Sequence, residues 1–133
     1  MADAGTAIAT IIATAVGSAA PGAAGSYVFN GPARPDPAKA IFCLAHGGPA
    51  PIDYQSGASV QFAKPQVIVR VREEAGSFRL AETLARSAHA ACSSVAVSGY
   101  LDCRVLQSHP LYMGPDDQDR HEFSFTVELT LDE

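Results

Sequence analysis

The strongest constraint on the fold is an alternation near the end of the chain, in the segment RHEFSFTVELTL. Every second residue there is apolar, and the residues between them are polar or charged. Successive side chains of a β-strand point to opposite faces, so this pattern predicts one long strand with a buried face and a solvated face. The side chains expected on the buried face are Phe123, Phe125, Val127, Leu129 and Leu131.

A second alternation follows Pro65. Val67, Val69 and Val71 alternate with Ile68, Arg70 and Arg72, which again predicts a strand with one buried face. Shorter strands are predicted at 26–29, at 39–45, in SVAV (94–97) and in CRVLQSHP (103–110). The segment LYMGPDDQDR (111–120) is read as a loop between strands, and it is either a contact loop or a solvated connector.

Two segments have the 3.6-residue periodicity of amphipathic helices. The first covers about residues 4–16, with Asp3 or Thr6 as N-cap and Gly17 as terminator. The second covers about residues 77–92, with Ser77 as N-cap. The first helix is expected to bury Ile8, Ile11, Ile12, Ala15 and Val16, and the second Phe78, Ala81, Leu84, Ala85, Ala88 and Cys92.

The order of these elements predicts an α+β fold: a mainly antiparallel sheet, an N-terminal helix, and a second helix packed on one face. A chain of 133 residues with 47% hydrophobic side chains has the size and composition of a single domain, here 1–133. The three cysteines form no CxxC pair and are odd in number, which favours a reducing compartment over a disulfide framework.

The charge distribution and the N-terminal apolar run indicate which classes of partner to expect. The net charge is −5, with +1 in residues 1–114 and −6 in residues 115–133, the opposite of what a DNA-clamping domain shows. The apolar run at 7–16 follows Asp3 and no basic residue, which argues against a secretory signal, and it is too short to span a membrane. We therefore expect no membrane partner.

The familiar patterns of catalytic and metal sites are missing from the sequence. Cys43 and His46 have no second pair of zinc ligands, no GxSxG positions a nucleophile, and no GxxxxGK[ST] or GxGxxG binds a nucleotide. We therefore expect no enzyme activity, no metal and no cofactor. The alternative is a small cytosolic ligand-binding or enzyme domain that uses Cys43, His46 and His109.

Two longer motifs carry a family resemblance. PQVIVRVREEAGSFRLAETLARSAHAAC resembles the central segment of phage minor capsid and tail terminator (tail completion) proteins, and HPLYMGPDDQDRHEFSFTVEL resembles their closing hairpin. The resemblance extends over residues 60–131. It implies a structural virion protein of a long non-contractile tail, assembled in the host cytoplasm as a homo-hexameric ring that caps the tail tube.

The resemblance also implies partners and no catalytic residues. The ring would contact the tail tube protein and the head-completion or connector protein at the neck, and DNA would pass through it without sequence-specific binding. From the charge distribution we expect an arginine strand and an acidic loop to lie on subunit-interface or lumen surfaces. The residues concerned are Arg70, Arg72, Asp116, Asp117, Asp119 and Arg120.

Overall fold

The computed structural model describes residues 3–35, 37–47, 64–93, 95–97 and 99–131. Within these residues the chain forms two helices and six strands. In chain order they are α1 (Ala4–Val16), β1 (Val28–Asn30), β2 (Ala40–Ala45), β3 (Gln66–Arg72), α2 (Phe78–Cys92), β4 (Tyr100–Val105), β5 (Leu111–Pro115) and β6 (His121–Leu131).

The six strands form one mostly antiparallel sheet in the order β1-β2-β3-β6-β4. β1 pairs with β2 in parallel, and the remaining pairs are antiparallel. The fold is therefore α+β, as the order of elements in the sequence predicts. β6, the strand with the clearest alternation, lies inside the sheet with β3 on one side and β4 and β5 on the other.

β4 and β5 share the same side of β6 and form a broken edge strand. β4 pairs with the second half of β6, and β5 pairs with its first half. The residues between them remain attached to β6, because the backbone N–H of Leu106 donates to the Thr126 carbonyl at 2.9 Å. The Gln107 side chain accepts a hydrogen bond from the Thr126 N–H at 2.8 Å, so a side chain takes the place of a missing ladder bond.

Both helices cover the same face of the sheet and bury its inward side chains. The predicted burial is confirmed for Val67, Val69 and Val71 in β3 and for the apolar row of β6 from Phe123 to Leu129, while the side chain of Leu131 lies outside the described set. Glu128, expected on the solvated face, is buried, where it accepts hydrogen bonds from Gln66 at 3.0 Å and Arg104 at 3.1 Å.

The predicted bounds of α1 are confirmed, but its buried face is rotated from the expected one. The Asp3 side chain accepts the N–H of Thr6 at 2.8 Å, and Gly17 ends the helix at φ 77°. The buried side is Ala4, Gly5, Ile8, Ala9, Ile12 and Ala13, whereas Ala15 is exposed. Small residues face inward because the helix passes close to β1: a Cβ on Gly5 would lie 2.5 Å from Asn30 Oδ1.

α2 also begins and ends as predicted, with one residue misplaced. Ser77 occupies the N-cap position, although its side chain makes no capping hydrogen bond. Phe78 is 40% exposed instead of buried. It lies in the first turn of the helix, where its ring packs edge-on against Tyr112 and His121.

Two strand assignments made from the sequence are wrong, and a third, CRVLQSHP (103–110), is too long, because β4 ends at Val105. Residues 95–97 of SVAV, expected as a strand, belong to no strand. Leu111–Pro115, expected as the start of a loop, forms β5, which pairs with β6. No helix among the described residues is long and apolar enough to cross a membrane.

Candidate interface surface

The loop joining β5 to β6 is held in one shape by Asp116. One carboxylate oxygen of Asp116 accepts the N–H groups of Gln118 and Arg120, each at 2.9 Å, and the other accepts Arg120 Nε at 2.7 Å. Burial opposes ionisation of Asp116, but these hydrogen bonds outweigh it, so the pKa of Asp116 lies below its ordinary value. The loop therefore presents its remaining acids from a fixed backbone.

Those remaining acids are Asp117 and Asp119, both exposed. Asp119 adopts a positive φ of 60°, which is uncommon outside glycine but tolerated by aspartate in tight turns. Its carbonyl accepts the N–H of Gly76 at 3.0 Å, so the loop is tied to the turn that precedes α2. Neither carboxylate makes an ion pair with any other described residue.

Arg72 and Arg120 are not surface residues, which corrects the expectation from the sequence. Each is only 5% exposed. Arg72 donates to the carbonyls of Pro37 at 2.6 Å and Ala38 at 3.1 Å, and Arg120 donates to the carbonyl of Pro35 at 2.8 Å. The two side chains fasten the proline-containing connection between β1 and β2 to the end of the sheet, so the chain itself supplies their partners.

Arg72 also packs against an aromatic ring, and its buried environment changes its pKa. Its guanidinium lies over the ring of Phe42, 5.2 Å from the centroid. Burial, together with the positive charge of Arg120, lowers the pKa of Arg72, and the carboxylates of Glu122 and Asp116 act in the other direction. An arginine remains charged under these conditions, so Arg72 acts as a permanent donor inside the subunit.

Arg70 lies on the sheet face opposite the helices, as expected, with 43% of its side chain exposed. Its Nη2 lies 2.8 Å from Glu122 Oε1, and its buried Nε has no hydrogen-bond partner among the described residues. The charge of Arg70 is therefore largely compensated within the chain. Of the six candidate residues, the structure leaves Asp117 and Asp119 as exposed charges without a partner.

The residues of the alternative enzyme site do not come together as one site. Cys43 is buried in the core, where burial and the neighbouring Cys92 raise its pKa, whereas His46 is exposed beyond the end of β2. His109 lines a separate cleft of about 40 Å³ with Glu82 and Arg86. In the ranges that the structure describes, no three His, Cys, Asp or Glu residues are grouped to hold a metal ion.

A set of apolar side chains is exposed, and of these the sequence reasoning singled out only the segment 111–120, as a contact loop or a solvated connector. Three of them, Leu111, Tyr112 and Met113, are consecutive in β5, and Tyr112 hydrogen-bonds His121 Nδ1 at 2.7 Å. Three consecutive apolar residues in a strand cannot all face one core, and that was the available signal. The whole set is Leu44, Phe78, Leu80, Leu101, Leu106, Leu111, Tyr112 and Met113.

Among the solved structures, a chain of similar fold matches this arrangement over almost its full length. It is a chain of the structure titled "Virion of native gene transfer agent (GTA) particle", matched with a TM-score of 0.63 and 14% sequence identity. The match covers 98% of this chain and 95% of that one. The two chains share one fold. No family model matches the sequence, and a search of curated proteins finds no match.

Proposed function

We propose that this chain is a structural subunit of a phage-like virion. The observation that carries the proposal is the fold similarity to a chain of the gene transfer agent virion, which extends over almost the full length of both chains.

Within the virion, the proposed role is that of the tail terminator. In this role the chain forms a homo-hexameric ring that caps the tail tube and offers a docking face to the head-completion or connector protein. The motif order around β3, α2 and the β5–β6 hairpin, which resembles tail terminators, supports this assignment. The exposed apolar side chains support a subunit with contact surfaces, since monomeric proteins rarely leave large apolar patches in water.

The acidic loop is proposed to lie on a contact or lumen surface of this ring. Asp117 and Asp119 are exposed and make no ion pair with another described residue, and the whole chain carries a net charge of −5. A surface with few free cations neutralises few phosphates, so DNA passing through the ring would bind it weakly. Asp116 belongs to the same loop, and Arg70 is proposed to lie on the same kind of surface, whereas Arg72 and Arg120 are buried inside the subunit.

Labelling of purified particles tests the assignment. An epitope tag on the chain, detected with antibody-coupled gold by electron microscopy, is expected at the junction of head and tail. Particles made without the chain are expected to have heads and tails that do not join, with tails of irregular length. A label along the capsid shell or at the distal tail tip, or the absence of the chain from purified particles, contradicts the tail terminator role.

A further inference from the structure

The β5–β6 hairpin carries apolar side chains that the subunit does not bury. Met113 is 59% exposed, and its neighbours Leu111 and Tyr112 are also exposed. They lie next to the rigid acidic loop. An apolar surface on a rigid hairpin is a candidate for insertion into another molecule.

Backbone pairing with another strand is a poor explanation for this surface. β5 lies at the edge of the sheet, but it is short, Pro110 precedes it, and Pro115 is its last residue. Its register with β6 shifts between Tyr112 and Gly114, which places a bulge at Met113. Prolines, bulges and short length are the features that prevent strand addition at an edge. The hairpin is therefore suited to docking through its side chains.

The acids of the loop indicate that a surface receiving the hairpin would carry positive charge. Asp117 and Asp119 carry no ion pair among the described residues, so they favour a site with free cations. Arg70 is paired with Glu122, and Arg72 and Arg120 are buried. Arg79, by contrast, is exposed on the first turn of α2 and makes no ion pair with any described residue.

A groove lies between the two helices, and Thr83, one helical turn after Arg79 on the same side of α2, lines it. The groove has a volume of about 270 Å³, and its walls include Val16 of α1 and Leu80 and Leu84 of α2. Lys39 and Glu73 also line it and form an ion pair at 3.9 Å. Leu80 is 59% exposed. The volume lies just below the roughly 300–1,000 Å³ of typical small-molecule sites.

The hairpin and the groove lie on opposite flanks of α2. Phe78 packs against Tyr112 on the hairpin side, whereas Leu80 and Leu84 face the groove on the α1 side. One subunit therefore carries two different surfaces: an apolar, acidic projection, and a recess with the exposed Leu80 close to Arg79, a cation that makes no ion pair with any described residue. Contacts between two different surfaces of identical chains repeat head to tail, and they close into a ring when the rotation allows.

We propose that the β5–β6 hairpin of one copy docks into the α1–α2 groove of a second copy. Met113 and Leu111 enter the groove, and Asp117 and Asp119 face Arg79. This inference rests on the proposed ring and names the seam between its subunits. It replaces the pairing of the acidic loop with the arginine strand, because the structure shows that the arginines of β3 already have partners within the chain.

Two single variants and their mixture test the seam. Met113→Lys disables the hairpin and leaves the groove intact, whereas Leu80→Lys disables the groove and leaves the hairpin intact. Each variant alone is expected to associate at least about tenfold more weakly than the parent chain in sedimentation velocity, since a buried lysine without a partner opposes docking. An equimolar mixture is expected to stop at a heterodimer, because one competent hairpin meets one competent groove. Leu101→Lys is the matched control, because Leu101 is similarly exposed but lies on β4, away from both surfaces.

A charge exchange identifies the facing residues. Arg79→Asp, and separately the double change Asp117→Arg with Asp119→Arg, are each expected to weaken association, and combining them in one chain is expected to restore part of it. Thermal melts close to that of the parent establish that the variants fold.

Four results overturn the seam: parent-like association of Met113→Lys, complete ring formation in the mixture, equal weakening by Leu101→Lys, or a parent chain that stays monomeric at high concentration. The gold label on particles is independent of these results, so the seam can fail while the virion role stands.

Discussion

Arg120 Nε lies 2.7 Å from Asp116 Oδ2, and the same guanidinium donates to the carbonyl of Pro35 at 2.8 Å. A single buried side chain thus joins the acidic loop to the connection between β1 and β2, which are far apart in the sequence. The hydrogen-bonded pair of Arg120 and Asp116 fixes the shape of the acidic loop at the proposed seam. Its geometry can therefore be changed from inside the subunit, without altering an exposed residue.

Removing Arg120 is expected to destabilise the subunit strongly. Arg120→Ala leaves Asp116 and the Pro35 carbonyl without their donor, and breaking a buried ion pair from one side costs about 3 kcal/mol. Denaturant unfolding measures the change. Arg79→Ala is the control, because Arg79 is exposed, and its effect is expected to stay within about 0.5 kcal/mol. Equal effects of the two substitutions would show that Arg120 is not structural.

Acid is expected to unfold the chain through its bonded carboxylates. Hydrogen bonds hold the pKa of Asp116 below its ordinary 3.8, and bonds from Gln66 and Arg104, opposed by burial, hold that of Glu128 below 4.5. A carboxylate with a lowered folded pKa binds fewer protons in the folded state, so its stabilisation is present above the ordinary pKa and is lost as pH falls through the folded pKa.

The free energy of unfolding is therefore expected to be flat near neutrality and to fall below about pH 4.5. A chain with Asp116→Asn and Glu128→Gln is expected to be less stable at pH 7 and to show a shallower decline in acid. Urea unfolding at a series of pH values measures both slopes. Parallel slopes for the two proteins would contradict the assignment of the acid transition to these carboxylates.

The inward row of β6 is expected to dominate the stability of the core. Phe125 is fully buried and contacts the ring of His89 from α2. Phe125→Ala removes a large side chain between the sheet and α2, and the resulting cavity is expected to cost about 3–5 kcal/mol. Ser124→Ala, on the opposite face of the same strand, is the matched control. A thermal melt of Phe125→Ala within a degree of the parent would contradict the central position of β6.

The cysteines are expected to react only after unfolding. All three are free and buried, and burial, with smaller effects of neighbouring thiols and Asp102, raises the pKa of Cys92 to about 12 and that of Cys103 to about 11, with Cys43 raised further. Thiolates are the reactive form, so the native chain is expected to react very slowly with a thiol reagent, and the denatured chain to react at three sites. Rapid labelling of Cys43 in the native protein would reopen the alternative of a nucleophilic site there.

The sequence predicted the elements that depend on local pattern. Alternation located β3 and β6, and the caps at Asp3 and Gly17 set the limits of α1. Short-range pattern could not show which other segment covers a given face. Arg72 alternates with the valines of β3, and this pattern predicts a surface position. In the structure, Pro37 and Ala38 of the connection between β1 and β2 cover it.

The β5–β6 hairpin shows the same limit. Gly114, Pro115 and the acids that follow have the composition of a loop, so the sequence predicts that residues 111–113 (LYM) belong to that loop. β5 forms because β6 offers an unpaired edge, which is a tertiary effect. The groove between α1 and α2 was also beyond sequence reasoning, because it depends on how two helices pack against each other.

The most direct test of the proposed role is a count of subunits in the assembled state. Native mass spectrometry of the purified chain mixed with tail tubes, with electron microscopy of the same sample, measures the stoichiometry and location together. The account predicts a closed ring of six copies at one end of each tube. A chain that stays monomeric in the presence of tubes, or that coats their length without forming a ring, would contradict it.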